Sequence, residues 1–136
     1  IMPSLVGSEM CIRDRAVLDE ELEQRQKLAA RYTLLLNEAG VKATPQVEAY
    51  NVSAWAQYTV RVPVRDQIQK VLSEAGVPTA VHYPIPLNKQ PAVADAHVSL
   101  PVGDEIASQV VSLPMSPNLT EADQDRVVAA FKGALS

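Results

Sequence analysis

The stretch Gly76-Val77-Pro78-Thr79-Ala80-Val81-His82-Tyr83-Pro84-Ile85-Pro86-Leu87-Asn88-Lys89-Gln90-Pro91 decides how the chain folds. It reads as a helix stop, a short apolar strand, and a polar loop stiffened by proline. Gly76 suits the left-handed position that closes a helix, and Pro78 prevents the helix from resuming. Thr79 to Tyr83 is too short for a helix and rich in strand formers. Pro84, Pro86 and Pro91 fix backbone angles and remove amide donors, so the segment must leave the sheet as a stiff loop. Such a loop at a strand end is a good mount for binding groups, because little ordering entropy remains to be lost.

Immediately upstream, Tyr58-Thr59-Val60-Arg61-Val62 alternates and predicts a strand with Tyr58, Val60 and Val62 inward, ended by Pro63. Arg65 to Ala75 predicts a helix with Ile68, Val71, Leu72 and Ala75 on one face. Together with the Thr79–Tyr83 strand these make a compact βαβ unit, whose crossover should be right-handed. Val41 to Tyr50 is poorly patterned extended chain, and Pro45 argues for an edge position. Trp55, the sole tryptophan, is expected to pack rather than to recognise a ligand.

Further out, a helix is expected from about Val17 to Ala39. Leu18, Leu22, Ala29, Tyr32 and Leu36 form its stripe, with Leu28 and Leu35 beside them. Asp19, Glu20 and Glu21 complement the helix dipole and read with Glu23 as a solvated face, Glu21 and Arg25 being spaced for an i,i+4 pair; Gly40 ends the helix. Its length suits an element joining two domains, with part of the stripe meant for a partner. Downstream, Asp95 to Gly103 is irregular, Asp104 to Val111 predicts a short helix, and Ser112-Leu113-Pro114-Met115 a brief strand or an extended link. Thr120-Glu121-Ala122-Asp123 resembles a capping box before a last helix to about Leu135, with Val127, Phe131 and Leu135 inward beside Val128. The fold class is α+β: a small, mostly antiparallel sheet with a βαβ unit, covered by helices.

At 136 residues one domain with a single core is expected. A net charge of −4 without a Lys/Arg cluster argues against nucleic acid or anionic lipid as partner, and no apolar run approaches a membrane span. Residues 5–14, Leu5-Val6-Gly7-Ser8-Glu9-Met10-Cys11-Ile12-Arg13-Asp14, resemble the conceptual translation of a transposase sequencing adapter. On that reading residues 1–15 are not native, and residues 16–136 are the tail end of a longer protein. The sole cysteine, Cys11, goes with them, which fits a reducing compartment such as the cytoplasm.

His82 is the first residue that can carry chemistry: a histidine donates or accepts near neutral pH. Against that stands a histidine merely satisfied by a neighbour or water at a strand end. Successive strand residues face opposite ways, but Pro84 ends the strand, so His82 and Tyr83 can present polar tips at one loop. Asn88 and Gln90 follow as weaker candidates, since amides recognise sugars but also cap turns. His82 and His97 fit no metal-ligand spacing, Ser73, Ser99 and Ser112 sit in no nucleophile elbow, and the glycines never cluster into a phosphate loop.

Gly76–Pro91, with Gln57–Val62, Arg65-Asp66, Leu100-Pro101-Val102-Gly103, Ser112-Leu113-Pro114-Met115, Arg25-Gln26-Lys27 and Arg31-Tyr32 in order around it, resembles the C-terminal domain of the DegT/DnrJ/StrS sugar aminotransferases. The resemblance covers essentially all of residues 16–136. It is greatest to members that aminate the 3-keto group of a UDP-linked N-acetylglucosaminuronate for surface polysaccharide, such as lipopolysaccharide. It implies the small domain of a fold-type I, pyridoxal 5'-phosphate-dependent aminotransferase, with glutamate as donor, a nucleotide sugar as acceptor, and a homodimer with interfacial sites. The Schiff-base lysine and the other cofactor-binding groups are expected upstream. Lys27, Lys42, Lys70, Lys89 and Lys132 match none of them, so this chain alone should be inactive and hold no cofactor. By the same resemblance His82 and Tyr83, with Asn88 and Gln90, line the sugar-nucleotide pocket, that of the neighbouring subunit. Ser116 stands where relatives often carry a histidine, which weakens any polar contact there. The other reading is a stand-alone α+β ligand-binding or dimerisation module, for which the first helix would pack within the chain.

Overall fold

The computed structural model describes residues 9–95 and 97–135; the first four residues of the adapter-like stretch lie outside them. The elements follow as α1 (Glu9–Glu38), β1 (Tyr58–Arg61), α2 (Arg65–Glu74), a 3-10 turn (Leu87–Lys89), α3 (Pro101–Ala107), β2 (Val110–Leu113) and α4 (Glu121–Leu135). No helix among the described residues is long and apolar enough to cross a membrane.

Two helices end in the same way. Behind α2, Gly76 takes φ +70°, its N–H donates to the Ser73 carbonyl at 2.9 Å, and the Val77 N–H reaches back to Leu72 at 2.8 Å. Behind α1, Gly40 (φ +90°) and Val41 repeat the pattern on Asn37 and Leu36 at 3.0 and 2.9 Å. Each is a Schellman stop, in which the residue after the glycine packs on the last turn; Val77 with Leu72 and Val41 with Leu36 are all buried. Helix α4 opens on the expected box: Asp123 N–H donates to Thr120 Oγ1 at 3.1 Å, and Thr120 N–H returns to Asp123 Oδ2 at 3.2 Å. Thr120, through its hydroxyl and then its amide, holds the Asp123 carboxyl below the ordinary carboxylate range.

Strand β1 pairs antiparallel with β2, Tyr58 opposite Leu113 and Val60 opposite Val111. On the other side of β2, Ala80 and Ser112 exchange backbone hydrogen bonds of 3.1 and 2.8 Å. The expected Thr79–Tyr83 strand therefore shrinks to one bridge. Pro78 before it and the left-handed Tyr83 (φ +56°) after it leave too few extended residues for a ladder. The Ala80 segment runs parallel to β1, as a βαβ unit requires, but β2 lies between the two.

Other expectations shift for identifiable reasons. Helix α3 starts at Pro101 rather than Asp104, because proline is suited to the first helical position, and β2 starts at Val110. The 41–50 segment forms no strand; it lies at the edge of β1 through one bond, Arg61 N–H to the Ala43 carbonyl at 3.1 Å. Ala75 and Leu135 are exposed, each at the C-terminal end of its helix. Arg25 turns from Glu21 to the Trp55 carbonyl at 3.1 Å.

The core forms where α1, α2 and α4 meet the sheet: Ala29, Tyr32 and Leu36, then Val60 and Val111, then Ile68 and Leu72, then Val127 and Phe131. Gln124 is fully buried, and its Nε2 donates to the Leu28 carbonyl at 2.8 Å, tying α4 to α1. Only the C-terminal half of the α1 stripe is covered; Ile12, Val17 and Leu18 are exposed.

The rings of Tyr32 and Tyr58 meet at a tilt of 36° with centroids 5.1 Å apart. Burial raises the pKa of both hydroxyls above the ordinary tyrosine value, with the Asp123 carboxylate adding to it at Tyr32. A pKa raised by folding contributes stability that is full below the unfolded value and lost as pH rises through the folded one. Urea midpoints should therefore fall above about pH 10, and Tyr58→Phe should blunt the fall. A wild-type midpoint that stays flat well beyond that pH would contradict the burial of these hydroxyls.

Candidate functional site

The loop after Ala80 is held by its own polar groups. Gln90 Nε2 donates to the Ile85 carbonyl at 3.2 Å. Asn88 Nδ2 donates to Asp104 Oδ1 at 3.3 Å, and Lys89 Nζ pairs with Asp104 Oδ2 at 3.0 Å. Asp104 on α3 thus anchors the 3-10 turn, and both amides bind the frame of the loop. A buried Asn88 Oδ1 finds no partner among the described residues.

A groove of about 280 Å³ runs between this segment and the end of β2. His82 stands in it with Gln57, Thr79 and Ser112, and Pro78, Pro114 and Met115 supply apolar walls. Ser112 Oγ is spent on Thr59 Oγ1 at 2.8 Å, and Thr79 Oγ1 accepts weakly from Gln69 Nε2 at 3.3 Å. Gln57 makes no side-chain hydrogen bond among the described residues. The lining polar side chains that make no hydrogen bond among the described residues are therefore the His82 imidazole and the Gln57 amide, and the Thr79 hydroxyl keeps its hydrogen to donate. Tyr83, Asn88 and Gln90 do not line the groove: Tyr83 is 86% exposed, and the two amides are engaged as above. Ser116 beyond Met115 accepts the Asn118 N–H at 3.3 Å, so its hydroxyl serves a turn.

In the sequence Gln57 carries no mark of a site residue. It stands just before a strand, and only the order of β1, β2 and Ala80 brings it to the same groove as His82. No lysine lines the groove; Lys27, Lys42, Lys70, Lys89 and Lys132 are all exposed. The described residues of the groove therefore do not fit a pyridoxal-type cofactor, whose Schiff base needs a lysine inside its pocket. Among the described residues no three His, Cys, Asp or Glu side chains gather to hold a metal.

The chain is 55% identical over 115 residues to the UDP-2-acetamido-2-deoxy-3-oxo-D-glucuronate aminotransferase of Pseudomonas aeruginosa PAO1, covering 85% of this chain and 32% of that protein. The crystal structure of a DegT DnrJ EryC1 StrS aminotransferase from Brucella abortus superposes with a TM-score of 0.82 at 37% identity, covering 90% of this chain and 33% of that one. NtdA of Bacillus subtilis, solved with bound cofactor PMP, superposes with a TM-score of 0.69 at 30% identity, covering 82% of this chain and 28% of its own. The chain spans about a third of the length of the curated relatives it matches. The sequence profile of the DegT/DnrJ/EryC1/StrS aminotransferases matches residues 10–132, and the chain belongs to that family.

Proposed function

We propose that residues 16–136 are the C-terminal part of a pyridoxal phosphate-dependent enzyme that transfers an amino group from glutamate to the keto group of a nucleotide-linked sugar. The observation that carries this is the His82 groove, a concave site with polar groups and apolar walls but no lysine, in a chain a third as long as its relatives. Such a site suits binding and leaves the covalent chemistry to other residues. His82 and Tyr83, with Asn88 and Gln90 framing their loop, contribute to a pocket completed by the larger domain and a second subunit of a homodimer. The product serves surface polysaccharide, and the enzyme works in the cytoplasm. Residues 1–15 are foreign to it, although the family match begins at residue 10.

The stand-alone reading requires α1 to pack within the chain. The exposure of Val17 and Leu18 favours the larger enzyme instead, because apolar stripes of this kind mark contact surfaces.

A chimera tests the proposal. In the Pseudomonas relative the segment matching this chain is replaced by residues 16–136 of the present protein. The chimera should carry pyridoxal phosphate and aminate a UDP-linked 3-keto sugar from glutamate, whereas the 136-residue chain alone should show no Schiff-base absorbance. A soluble, cofactor-loaded chimera without transfer would sink the functional reading. Stoichiometric cofactor uptake by the short chain would show that the lysine assignment is misplaced.

A further inference from the structure

Gln57 shares the groove with His82, and its amide is free. The backbone that delivers it is held firmly. Trp55, two residues earlier, takes φ +48°, a left-handed conformation that a bulky residue keeps only where its surroundings over-determine it. Those surroundings are on α1 and β1. Arg25 Nη1 donates to the Trp55 carbonyl at 3.1 Å, and the indole Nε1 donates to Gln26 Oε1 at 2.8 Å. Gln26 Nε2 donates in turn to the Ser53 carbonyl, the Trp55 N–H to Ser53 Oγ at 3.2 Å, and the ring stacks on Tyr58 at 5.7 Å. A clamped turn of this kind leaves little backbone entropy to lose on binding, so only the side-chain rotamers remain to be ordered.

The groove also limits what such an amide can read. No Arg, Lys, Asp or Glu lines it, so nothing there offsets the charge of a diphosphate. Its volume of about 280 Å³ is less than most complete ligand pockets offer, which leaves room for one ring of a nucleotide sugar. A pyranose has apolar C–H faces for Pro78, Pro114 and Met115, and hydroxyl or acetamido groups that both donate and accept. A primary amide also does both.

We propose that Gln57 is a specificity-determining residue that hydrogen-bonds the neutral hydroxyl or acetamido groups of the sugar ring, while the diphosphate is held outside this groove. This rests on the sugar-nucleotide reading above.

The test uses the ¹⁵N-labelled 136-residue chain and three probes: UDP-N-acetylglucosamine, methyl N-acetylglucosaminide and UDP. The two sugars should shift the Gln57 side-chain amide and the His82 ring signals, and UDP should leave both in place. Gln57→Ala should weaken the response to either sugar about three- to tenfold, as loss of one neutral hydrogen bond does. Because Gln57 is exposed, its melting temperature should not change, and Gln57→Asn should recover part of the response. If the sugars move His82 but not Gln57, or UDP moves both as strongly as the sugars do, the inference fails and the sugar-nucleotide reading survives. If no probe moves either residue, the inference fails, and the chimera alone decides the sugar-nucleotide reading.

Discussion

Phe131→Ala is expected to destabilise the chain by about 3–5 kcal/mol, a large share of the roughly 5–15 kcal/mol that holds a domain of this kind together. Phe131 is fully buried on the face of α4 that also carries Val127 and Gln124, and that face packs on α2 and α1. Removing the ring leaves a cavity in the core cluster that Phe131 shares with Ile68 and Leu72 of α2 and with Val60 of β1, all with no exposed surface. Helix α2 is closed by its Gly76 stop and β1 is paired with β2, so neither can move in to fill the space. The transfer and cavity contributions should therefore both appear. Phe131→Leu fills most of the volume and should cost clearly less. Urea unfolding followed by circular dichroism measures both, and a loss below about 1 kcal/mol for the alanine variant would show that α4 is not seated as described.

What could be read in advance was what neighbours along the chain dictate. Gly76 and Gly40 announce helix stops because glycine takes the left-handed closing position without steric cost, and Pro78 keeps the first from resuming. Thr120 and Asp123 announce a start because both partners of the reciprocal bond lie within four residues. Pro101 gives no such signal, since a proline opening a helix and a proline in a loop look alike when the cap residue, Leu100, carries no capping group. The 79–83 strand was overestimated because propensity ignores the left-handed Tyr83 that ends it.

The site was legible only in part, for a related reason. His82 stood out because of the proline loop behind it, but the groove it enters is built from Gln57, Ser112 and Met115. Those residues meet only because β2 inserts between β1 and Ala80. Asn88 and Gln90 have the chemistry of sugar contacts, yet the loop uses their amides to hold its own shape. Composition cannot tell those two uses apart; hydrogen-bond partners can.

In the chimera, His82→Ala is expected to lower kcat/KM about 10- to 100-fold, and the loss should appear mainly in KM. An imidazole in this groove can hydrogen-bond a sugar hydroxyl or a uronate carboxylate, and a hydrogen bond to a charged group contributes about 1.5–3 kcal/mol. Such a bond is made in the bound substrate as well as in the transition state, and losing it raises KM while leaving kcat near its original value. His82→Gln, which can still donate to a carboxylate, should recover part of the affinity. Tyr83→Phe separates the two members of the pair: Tyr83 is exposed and outside the groove, so its hydroxyl acts only if the larger domain or second subunit folds over it. A fall in kcat with unchanged KM for His82→Ala would instead move His82 from binding to the chemical step. No change in either constant would remove it from the site, whatever the family resemblance implies.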